Sequence, residues 1–476
     1  MTGPLNGVQN GPDSGVLPEE LLKLLGRDSY SLLVKGSAAT GKTILALTTI
    51  KELALKANYL YLSTRSSPMQ LFENHPWLGD FLNIPRRTRS STRSRRHSEL
   101  PDSMKHFVDA RLDEPTVFFE RITDELLNVQ APAIFIDTWD SIGKMMDSEA
   151  LMTNMRVVLT WRERADARLI VLMEDPEDKT LDSLFDGVVM LNRRYTNGRI
   201  VRTVILSKLD GVRISRPSSI FTLNEGLFQS FGGYDSIESG TGVSASSNAP
   251  PKAAESSTSQ DCSPQSTGHA ALEALLHGDA PSGTIVNVEL AAGLPAMAAS
   301  LLVRRILAGF PAHGTSILSW PFEGMEMDHP GFGSTLPARS AVGIPGSDDH
   351  RRGGLNLSDA KGQSSFRNEA SKMKELNPHG PLVAIVGADL ADSLQDDGET
   401  SDLAGFMRSN VDLSIVLSRE GRKSGYDLSG MAGVFLGLTE IDGTLVLEPR
   451  LPWRELYAFT QQNQQGEKTV GLVPVV

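Results

Sequence analysis

The sequence predicts an α/β protein with two domains, each built on a mainly parallel sheet, and three observations lead to this fold class. A complete phosphate-binding motif, G-x-x-x-x-G-K-[ST], occupies Gly36–Thr43 between a predicted strand and a predicted helix. Short apolar segments alternate with helical patterns after it, and the last of these segments follow one another closely. A fainter version of the same succession of strand, turn and helix returns beyond residue 268.

The composition sets limits on the class of protein. A chain of 476 residues is too long for one ordinary core, which favours two domains. No apolar run approaches the roughly 18 residues of a membrane span, and residues 1–7 lack the order of a signal peptide, so we expect a cytoplasmic protein without membrane contact. The single cysteine, Cys262, excludes an internal disulfide. A net charge of −12 means that any contact with nucleic acid must be local.

Six short apolar segments are the predicted strands of the first domain. The early ones alternate with helical patterns, which is typical of parallel strands joined by crossover helices. The late ones are closely spaced, which indicates an antiparallel hairpin that finishes the sheet. Helical periodicity between Ile142 and Ala165 marks one of the helices. The six segments cover residues 30–35, 58–63, 133–138, 168–173, 186–191 and 202–207.

The phosphate-binding motif predicts a site for ATP and Mg²⁺. With a strand before it and a helix after it, the backbone N–H groups of residues 37–43 can converge on a polyphosphate at a helix N-terminus. Lys42 would neutralise the β and γ phosphates, and the hydroxyl of Thr43 would hold Mg²⁺. We expect the whole loop to bind the nucleotide, that is Gly36, Ser37, Ala38, Ala39, Thr40, Gly41, Lys42 and Thr43.

Asp137 is the predicted metal-side partner of Thr43. It ends the apolar strand at 133–138, and the carboxyl end of a buried strand lies at the ligand-bearing edge of an α/β sheet. From there a carboxylate can hold Mg²⁺ through water opposite the phosphate loop. Lys42 and Asp137 are therefore the candidate catalytic residues.

A Ser- and Pro-rich stretch divides the chain. Ten serines fall between Ser236 and Ser266, with hardly any aliphatic residues, and such a composition cannot offset the entropy of ordering. We therefore expect a linker at 234–268. The other predicted boundaries are a flexible N-terminus at 1–14, a first domain at 15–233 and a second domain at 269–476.

The second domain repeats the beginning of the first in outline. A strand at 284–290, a turn at 291–295 and a helix from Met297 follow in order, but the turn has neither the Gly-Lys pair nor the hydroxyl residue. We therefore do not expect this copy to bind phosphate. The segment 381–389 corresponds to either the strand at 133–138 or the strand at 168–173, and an unrelated α/β domain is the alternative. The later predicted strands are 411–417, as the counterpart of 186–191, and a closing hairpin at 433–439 and 444–447.

Each half carries a long polar insertion after its second predicted strand, at 85–97 and at 325–380. Such lengths indicate either disorder or a binding element. The first insertion holds six arginines in eleven residues, which can bind a protein partner or nucleic acid; a solvated loop is the alternative. The six are Arg86, Arg87, Arg89, Arg93, Arg95 and Arg96.

Several of these features together resemble RecA-type ATPases of the KaiC and RadA branch, over about residues 15–230. They are the phosphate loop, the strand that ends at Asp137, the segment 184–191 and the hairpin around 207–211. The phosphate loop near the N-terminus, the arginine-rich segment soon after it and the overall length also resemble the archaeal gas-vesicle regulatory protein D family. The resemblance implies a RecA-like mainly parallel sheet with flanking helices, followed by a second, degenerate RecA-like α/β domain.

The resemblance also implies an ATP-binding core, head-to-tail assembly with nucleotide between subunits and, in the narrower family, repression of gas-vesicle formation through an activator protein. Two departures limit the comparison. Residues 63–66 replace the glutamate that orients the attacking water in the KaiC branch, so hydrolysis is expected to be weak or absent. Lys208 fits the lysine that reaches a neighbour's phosphate, but Asp210 takes the place of the arginine and leaves Arg213 as a substitute.

Three functions remain open at this point. The first is a nucleotide-dependent regulatory switch, in which ATP and Mg²⁺ order the first domain and the arginine-rich insertion binds a partner. The second is a RadA-like DNA-dependent ATPase, and the third is a scaffold that binds nucleotide without hydrolysing it.

Overall fold

The structure is a computed structural model, and the chain divides into two compact units. The N-terminal unit comprises Gly15–Phe231 with Val475–Val476, and the C-terminal unit comprises Gly232–Pro474. The described residues are 17–55, 58–83, 105–233, 282–307, 310, 315–320, 342–343, 360–387, 397–421, 432–464 and 467–476. Three predicted segments lie outside these residues. They are the N-terminus at 1–14, the arginine-rich insertion at 85–97 and the linker at 234–268.

The described strands of the N-terminal unit form one nine-stranded sheet. They are β1 (Tyr30–Lys35), β2 (Tyr59–Ser63), β3 (Phe107–Asp109), β4 (Ala133–Asp137), β5 (Arg168–Met173), β6 (Gly187–Thr196), β7 (Arg199–Leu209), β8 (Ser218–Thr222) and β9 (Gln229–Ser230). Their order is β3-β2-β4-β5-β1-β6-β7-β8-β9. Pairing is parallel from β3 to β6 and antiparallel from β6 to β9.

Helices pack on both faces of this sheet. Neighbouring residues of β1 point to opposite faces, so that Leu32 joins one apolar cluster and Leu33 the other. The central strands are buried on both faces, which explains their continuous apolar runs. The helices are α1 (Glu19–Leu25), α2 (Lys42–Glu52), α3 (Pro68–Asn74), α4 (Pro76–Phe81), α5 (Pro115–Asn128), α6 (Asp140–Gly143) and α7 (Ser148–Arg164).

Local sequence explains where several helices begin. Ser67 and Gln70 form a reciprocal capping box at α3, and the carboxylate of Asp147 accepts the N–H of Ala150 at α7. Proline occupies the first turn of α3, α4 and α5, where a missing N–H costs nothing. These residues determine where the crossover helices begin. The loop before α2 is shaped by glycine instead.

The C-terminal unit repeats the same sheet. Its described strands are β10 (Thr284–Leu290), β11 (Ser316–Trp320), β12 (Val342–Gly343), β13 (Leu382–Gly387), β14 (Leu413–Arg419), β15 (Val434–Ile441), β16 (Thr444–Leu451), β17 (Leu456–Gln464) and β18 (Glu467–Val475). Their order, β12-β11-β13-β14-β10-β15-β16-β17-β18, is that of the first sheet, strand for strand. The described helices are α8 (Ala296–Leu307), α9 (Ala360–Leu376) and α10 (Asp397–Asn410). The predicted fold class, a RecA-like α/β domain followed by a degenerate second one, is confirmed.

The repeated topology corrects one correspondence and decides another. The segment 411–417 was expected to match 186–191, and this is wrong because β14 lies between β13 and β10, in the place of β5. The counterpart of β6 is β15, and both strands carry an irregularity at the same point of their antiparallel pairing. The segment 381–389 contains β13, which takes the place of β4. A short apolar run carries no information about its neighbours in a sheet, and this explains the wrong match.

Part of the predicted insertion at 325–380 belongs to the fold. Residues 360–376 form α9, whose Phe366, Ala370 and Met373 are buried against the sheet at helical spacing. No helix in the described part of the chain is long and apolar enough to cross a bilayer.

Candidate functional site

The phosphate loop connects β1 to α2 at the carboxyl edge of the N-terminal sheet. β1 ends at Lys35 and α2 begins at Lys42, so that residues 36–41 make the turn between them. Residues 37–39 are exposed to solvent. The N–H groups of residues 37–41 donate to no group in the described part of the chain, whereas the N–H of Gly36 donates to the carbonyl of Met173 at 3.1 Å. The exposed part of the loop therefore presents free donors at a helix N-terminus, as an anion site requires.

Two glycines give the loop its shape. A Cβ on Gly36 would lie 2.5 Å from the carbonyl oxygen of Leu191 and 2.8 Å from Oγ1 of Thr40, which leaves no room for a side chain. Gly41 has φ = +105°, a conformation that L side chains rarely adopt. The hydroxyl of Thr40 donates to the carbonyl of Ser37 at 2.9 Å and holds the turn closed.

Lys42 lies buried under the loop, with 5% of its surface exposed. Its ammonium group donates to the carbonyl oxygens of Gly36 and Ser37, the latter at 2.9 Å. Burial lowers the pKa of Lys42, and the nearby carboxylates of Glu174 and Asp137 oppose that shift. The cation is thus held by weak neutral acceptors, which a phosphate can replace with a gain in charge pairing.

Asp137 faces the loop from the end of β4, with 3% of its surface exposed. Its Oδ2 accepts hydrogen bonds from the hydroxyl of Thr43 at 2.9 Å and from the hydroxyl of Tyr61 at 2.7 Å. Its Oδ1 is buried and has no hydrogen-bond partner among the described residues. Burial raises the pKa of Asp137, against the lowering effect of the two hydrogen bonds and of the more distant Arg65 and Lys42.

The pair of Thr43 and Asp137 fits a magnesium ion. Mg²⁺ prefers oxygen ligands and keeps several waters, so that one hydroxyl and one carboxylate with a free oxygen are a suitable set of protein groups. The unpartnered Oδ1 of Asp137 is costly to bury without such a partner. Tyr61, which sequence reasoning missed, holds the carboxylate in this orientation; no local pattern in the sequence signals the contact.

A charged pair replaces the glutamate that is expected after β2. Arg65 follows β2, and its guanidinium forms an ion pair with the carboxylate of Glu174, which follows β5. The backbone N–H of Glu174 donates to the carboxylate of Asp140 at 2.7 Å. Sequence reasoning noted the departure at 63–66 but did not foresee the pair. The available signal was that both residues follow strands whose carboxyl ends share one edge of the sheet.

The residues predicted to reach a neighbour's phosphate lie around the end of β7. The ammonium of Lys208 donates to the carbonyl of Phe185 at 2.6 Å and pairs with the carboxylate of Asp210 at 3.1 Å. Arg213 is exposed in the turn that follows. Their contact with phosphate stays a prediction.

The C-terminal unit has different side chains at the equivalent positions. The pairing of β1 with β6 starts at Leu32 and that of β10 with β15 starts at Val286, so the two sheets can be aligned through these residues. In this alignment, α8 begins where α2 begins. Its turn is held by Arg419, which donates to the carbonyl of Leu294 at 3.0 Å. The places of Lys42, Thr43 and Asp137 are taken by Ala296, Met297 and Gly387.

These features define a class of protein. A phosphate loop between the central strand and α2, facing a buried aspartate on β4, makes the N-terminal unit a P-loop nucleotide-binding domain of the RecA-like type. Residues 23–207 match the family model described as GvpD gas vesicle protein, P-loop domain. The narrower resemblance found in the sequence is thereby confirmed.

Two curated relatives support the same assignment. Protein GvpD2 of Halobacterium salinarum is 26% identical over 331 residues, which cover 67% of this chain and 64% of the relative. Protein GvpD1 of the same organism is 26% identical over 312 residues, which cover 62% of this chain and 54% of the relative. The chain therefore spans less than two thirds of the length of either relative.

Proposed function

We propose that this protein is an ATP- and Mg²⁺-dependent regulatory switch that represses gas-vesicle formation through a protein partner in the cytoplasm. The observation that carries this proposal is the hydrogen bond between Thr43 and Asp137 beside the buried cation of Lys42. A hydroxyl and a carboxylate for the metal, next to a cation for phosphate, are the groups that a P-loop protein needs. The names of the relatives and of the matching family supply the link to gas vesicles.

Each group of the loop has a distinct part in binding. The free N–H groups of residues 37–41 would take the phosphate oxygens. The ammonium of Lys42 would leave the carbonyls of Gly36 and Ser37 for the phosphate. Thr43 and Asp137 would hold Mg²⁺, which would neutralise part of the charge of the phosphates. Apart from the ammonium of Lys42, these groups are already in position.

Hydrolysis is expected to be weak or absent. An attacking water needs a base that orients it and takes its proton. The second residue after β2 is Arg65, and its guanidinium occupies the carboxylate of Glu174. The domain is thus suited to hold ATP for a long time, as a switch requires, and at most to hydrolyse it slowly.

The partner and the assembly follow from cations outside the loop. We propose that the arginines of residues 86–96 bind an acidic regulatory protein, with nucleic acid as the alternative ligand. In a head-to-tail oligomer, Lys208 or Arg213 would reach the phosphate of a neighbouring copy. Lys208 would then have to leave Phe185 and Asp210.

The test is binding and turnover of labelled ATP by the wild-type chain and by Lys42→Ala. We expect binding that requires Mg²⁺, a loss of affinity of at least about tenfold in the variant, since a charge-assisted contact contributes about 1.5–3 kcal/mol, and little turnover. Lys51→Ala is the matched control, because Lys51 lies in the same helix at its other end.

Addition of DNA provides the second arm of the test. A switch should show the same slow turnover with and without DNA. Turnover that DNA stimulates strongly would contradict the switch and favour a RadA-like ATPase. Equal affinity of wild type and Lys42→Ala for ATP would contradict the proposed nucleotide site.

A further inference from the structure

The ion pair between Arg65 and Glu174 spans the edge of the sheet that carries the phosphate loop. Arg65 follows β2 and Glu174 follows β5, and β4 lies between these two strands. Because β4 ends in Asp137, the pair meets beside the predicted metal ligand. β5 also adjoins β1, from which the loop starts. The pair therefore borders the space in which the phosphates of a nucleotide would lie.

The charges around this space favour a rearrangement when an anion enters. Carboxylates of Glu174, Asp137 and Asp140 all act on the pKa of Lys42, and Arg65 is the cation that acts on it in the opposite sense. An incoming phosphate is repelled by the Glu174 carboxylate and attracted by the guanidinium that this carboxylate now neutralises. An arginine that changed partners would remove the repulsion and add an attraction in one step.

The pair is free to separate without movement of the main chain. The side chain of Arg65 is 51% exposed and that of Glu174 is 33% exposed, and ion pairs so open to solvent are weak. The backbone of Glu174 is held by the carboxylate of Asp140, and Thr64, next to Arg65, is held through its hydroxyl by the carbonyl of Thr138 at 2.8 Å. Rotation of two side chains is therefore sufficient.

We propose that Arg65 is a ligand of the terminal phosphate of a bound nucleoside triphosphate, and that it leaves Glu174 to make this contact. A guanidinium binds a carboxylate and a phosphate with the same forked geometry, and the terminal phosphate carries more charge than a carboxylate. A diphosphate lacks that group, so Arg65 would stay with Glu174. The proposal rests on the nucleotide site at Gly36–Thr43 and adds the residue by which that site distinguishes a triphosphate from a diphosphate.

The experiment measures the dissociation constants of ATP and of ADP, each with Mg²⁺, for the full-length wild type and four variants. Arg65→Ala should weaken ATP binding about tenfold or more and leave ADP binding within about twofold, because only ATP offers the third phosphate. Glu174→Gln should raise the preference for ATP over ADP, since the competing carboxylate is gone. Lys42→Ala should lose both nucleotides.

Arg111→Ala is the matched control. Arg111 follows β3 and pairs with Asp109 at 2.6 Å, with a side chain 41% exposed, but β3 lies at the far edge of the sheet from β1. This variant should bind both nucleotides as the wild type does. Thermal unfolding without nucleotide shows whether each variant is folded.

The outcomes distinguish the role of Arg65 from the existence of the nucleotide site. Equal loss of ATP and ADP in Arg65→Ala, or a reduced preference for ATP in Glu174→Gln, would overturn the role of Arg65 and leave the nucleotide site intact. A wild-type chain that binds neither nucleotide would overturn the proposed function, and the role of Arg65 with it. If Arg65→Ala does not fold, Glu174→Gln still decides the question.

Discussion

Asp137 must satisfy two opposing requirements at the scale of a single residue. It has to be ionised to hold Mg²⁺, yet its burial raises the pKa of the carboxyl group above its ordinary value of 3.8. The hydrogen bonds from Tyr61 and Thr43 offset part of that cost. In the absence of nucleotide, the folded chain holds the proton of Asp137 more tightly than the unfolded chain does.

This asymmetry gives a pH-dependent prediction for Asp137→Asn. A raised folded-state pKa makes the carboxyl group stabilising at low pH, and that contribution is lost as the pH rises from the ordinary carboxyl pKa through the folded-state pKa. The difference in melting temperature between Asp137→Asn and wild type should therefore shift in favour of the variant as the pH is raised from acid to neutral. The shift should be about 2–4 °C for each kcal/mol of folding stability that the wild type loses. Binding of ATP with Mg²⁺ should be lost in the same variant.

Asp109→Asn provides the control of opposite sign. The hydrogen bonds from Arg111 hold the pKa of Asp109 below its ordinary value. Its contribution is therefore present above the unfolded-state pKa and is lost as the pH falls. Parallel pH profiles for the two variants would show that burial of Asp137 does not govern its ionisation.

The residues of the site differ in how far the sequence predicts them. Gly36–Thr43 are contiguous, so a local motif predicts their turn, their helix and their ligand together. The hydroxyl of Tyr61 meets a carboxylate 76 positions away, and Arg65 meets Glu174 109 positions away. Those contacts depend on the order of strands in the sheet. The apolar pattern of a single strand does not predict that order.

The backbone of the phosphate loop is tightly constrained by its neighbours. Gly36 passes so close to β6 that a methyl group would meet the carbonyl oxygen of Leu191, and a backbone atom cannot turn away as a flexible side chain can. Gly36→Ala should therefore shift the loop and remove at least one of its contacts with phosphate. The expected loss of ATP affinity is about tenfold or more, as measured by titration with ATP and Mg²⁺.

The C-terminal unit offers a matched control for this element. Gly293 lies in the corresponding turn between β10 and α8, and a Cβ there would meet no atom within 4 Å. Gly293→Ala should leave both the melting temperature and the affinity for ATP unchanged. Similar losses of affinity in both variants would show that Gly36→Ala acts through general destabilisation.

Elements were predicted to the extent that their pattern is strong over a few residues. Each of the six predicted strands overlaps an observed strand of the first sheet, although β6 and β7 are longer than predicted. The short strands β3, β8 and β9 were missed. The helix α5 was missed although Phe118, Ile122 and Leu126 repeat at helical spacing. The helix α9 was hidden in a polar insertion, because its few apolar residues are diluted by charge.

At the scale of the whole molecule, two sheets of one topology differ in their chemistry. Identical strand orders with a shared irregularity between β6 and β7 and between β15 and β16 indicate a repeated architecture. In the C-terminal unit, the turn after β10 keeps the place of the loop but lacks the cation, the hydroxyl and the carboxylate. Strand order follows from packing of apolar side chains, so that it persists when a site's polar residues are replaced.

This difference predicts one nucleotide for each chain. Ala296, Met297 and Gly387 cannot hold a phosphate or a metal, so the C-terminal unit should contribute no site. Titration of the full-length chain with ATP and Mg²⁺ should give a stoichiometry of about one, and Lys42→Ala should reduce it to about zero, because no second site takes over. Two equivalents in the wild type, or one that remains in Lys42→Ala, would show that the second sheet has kept a nucleotide site built from other residues.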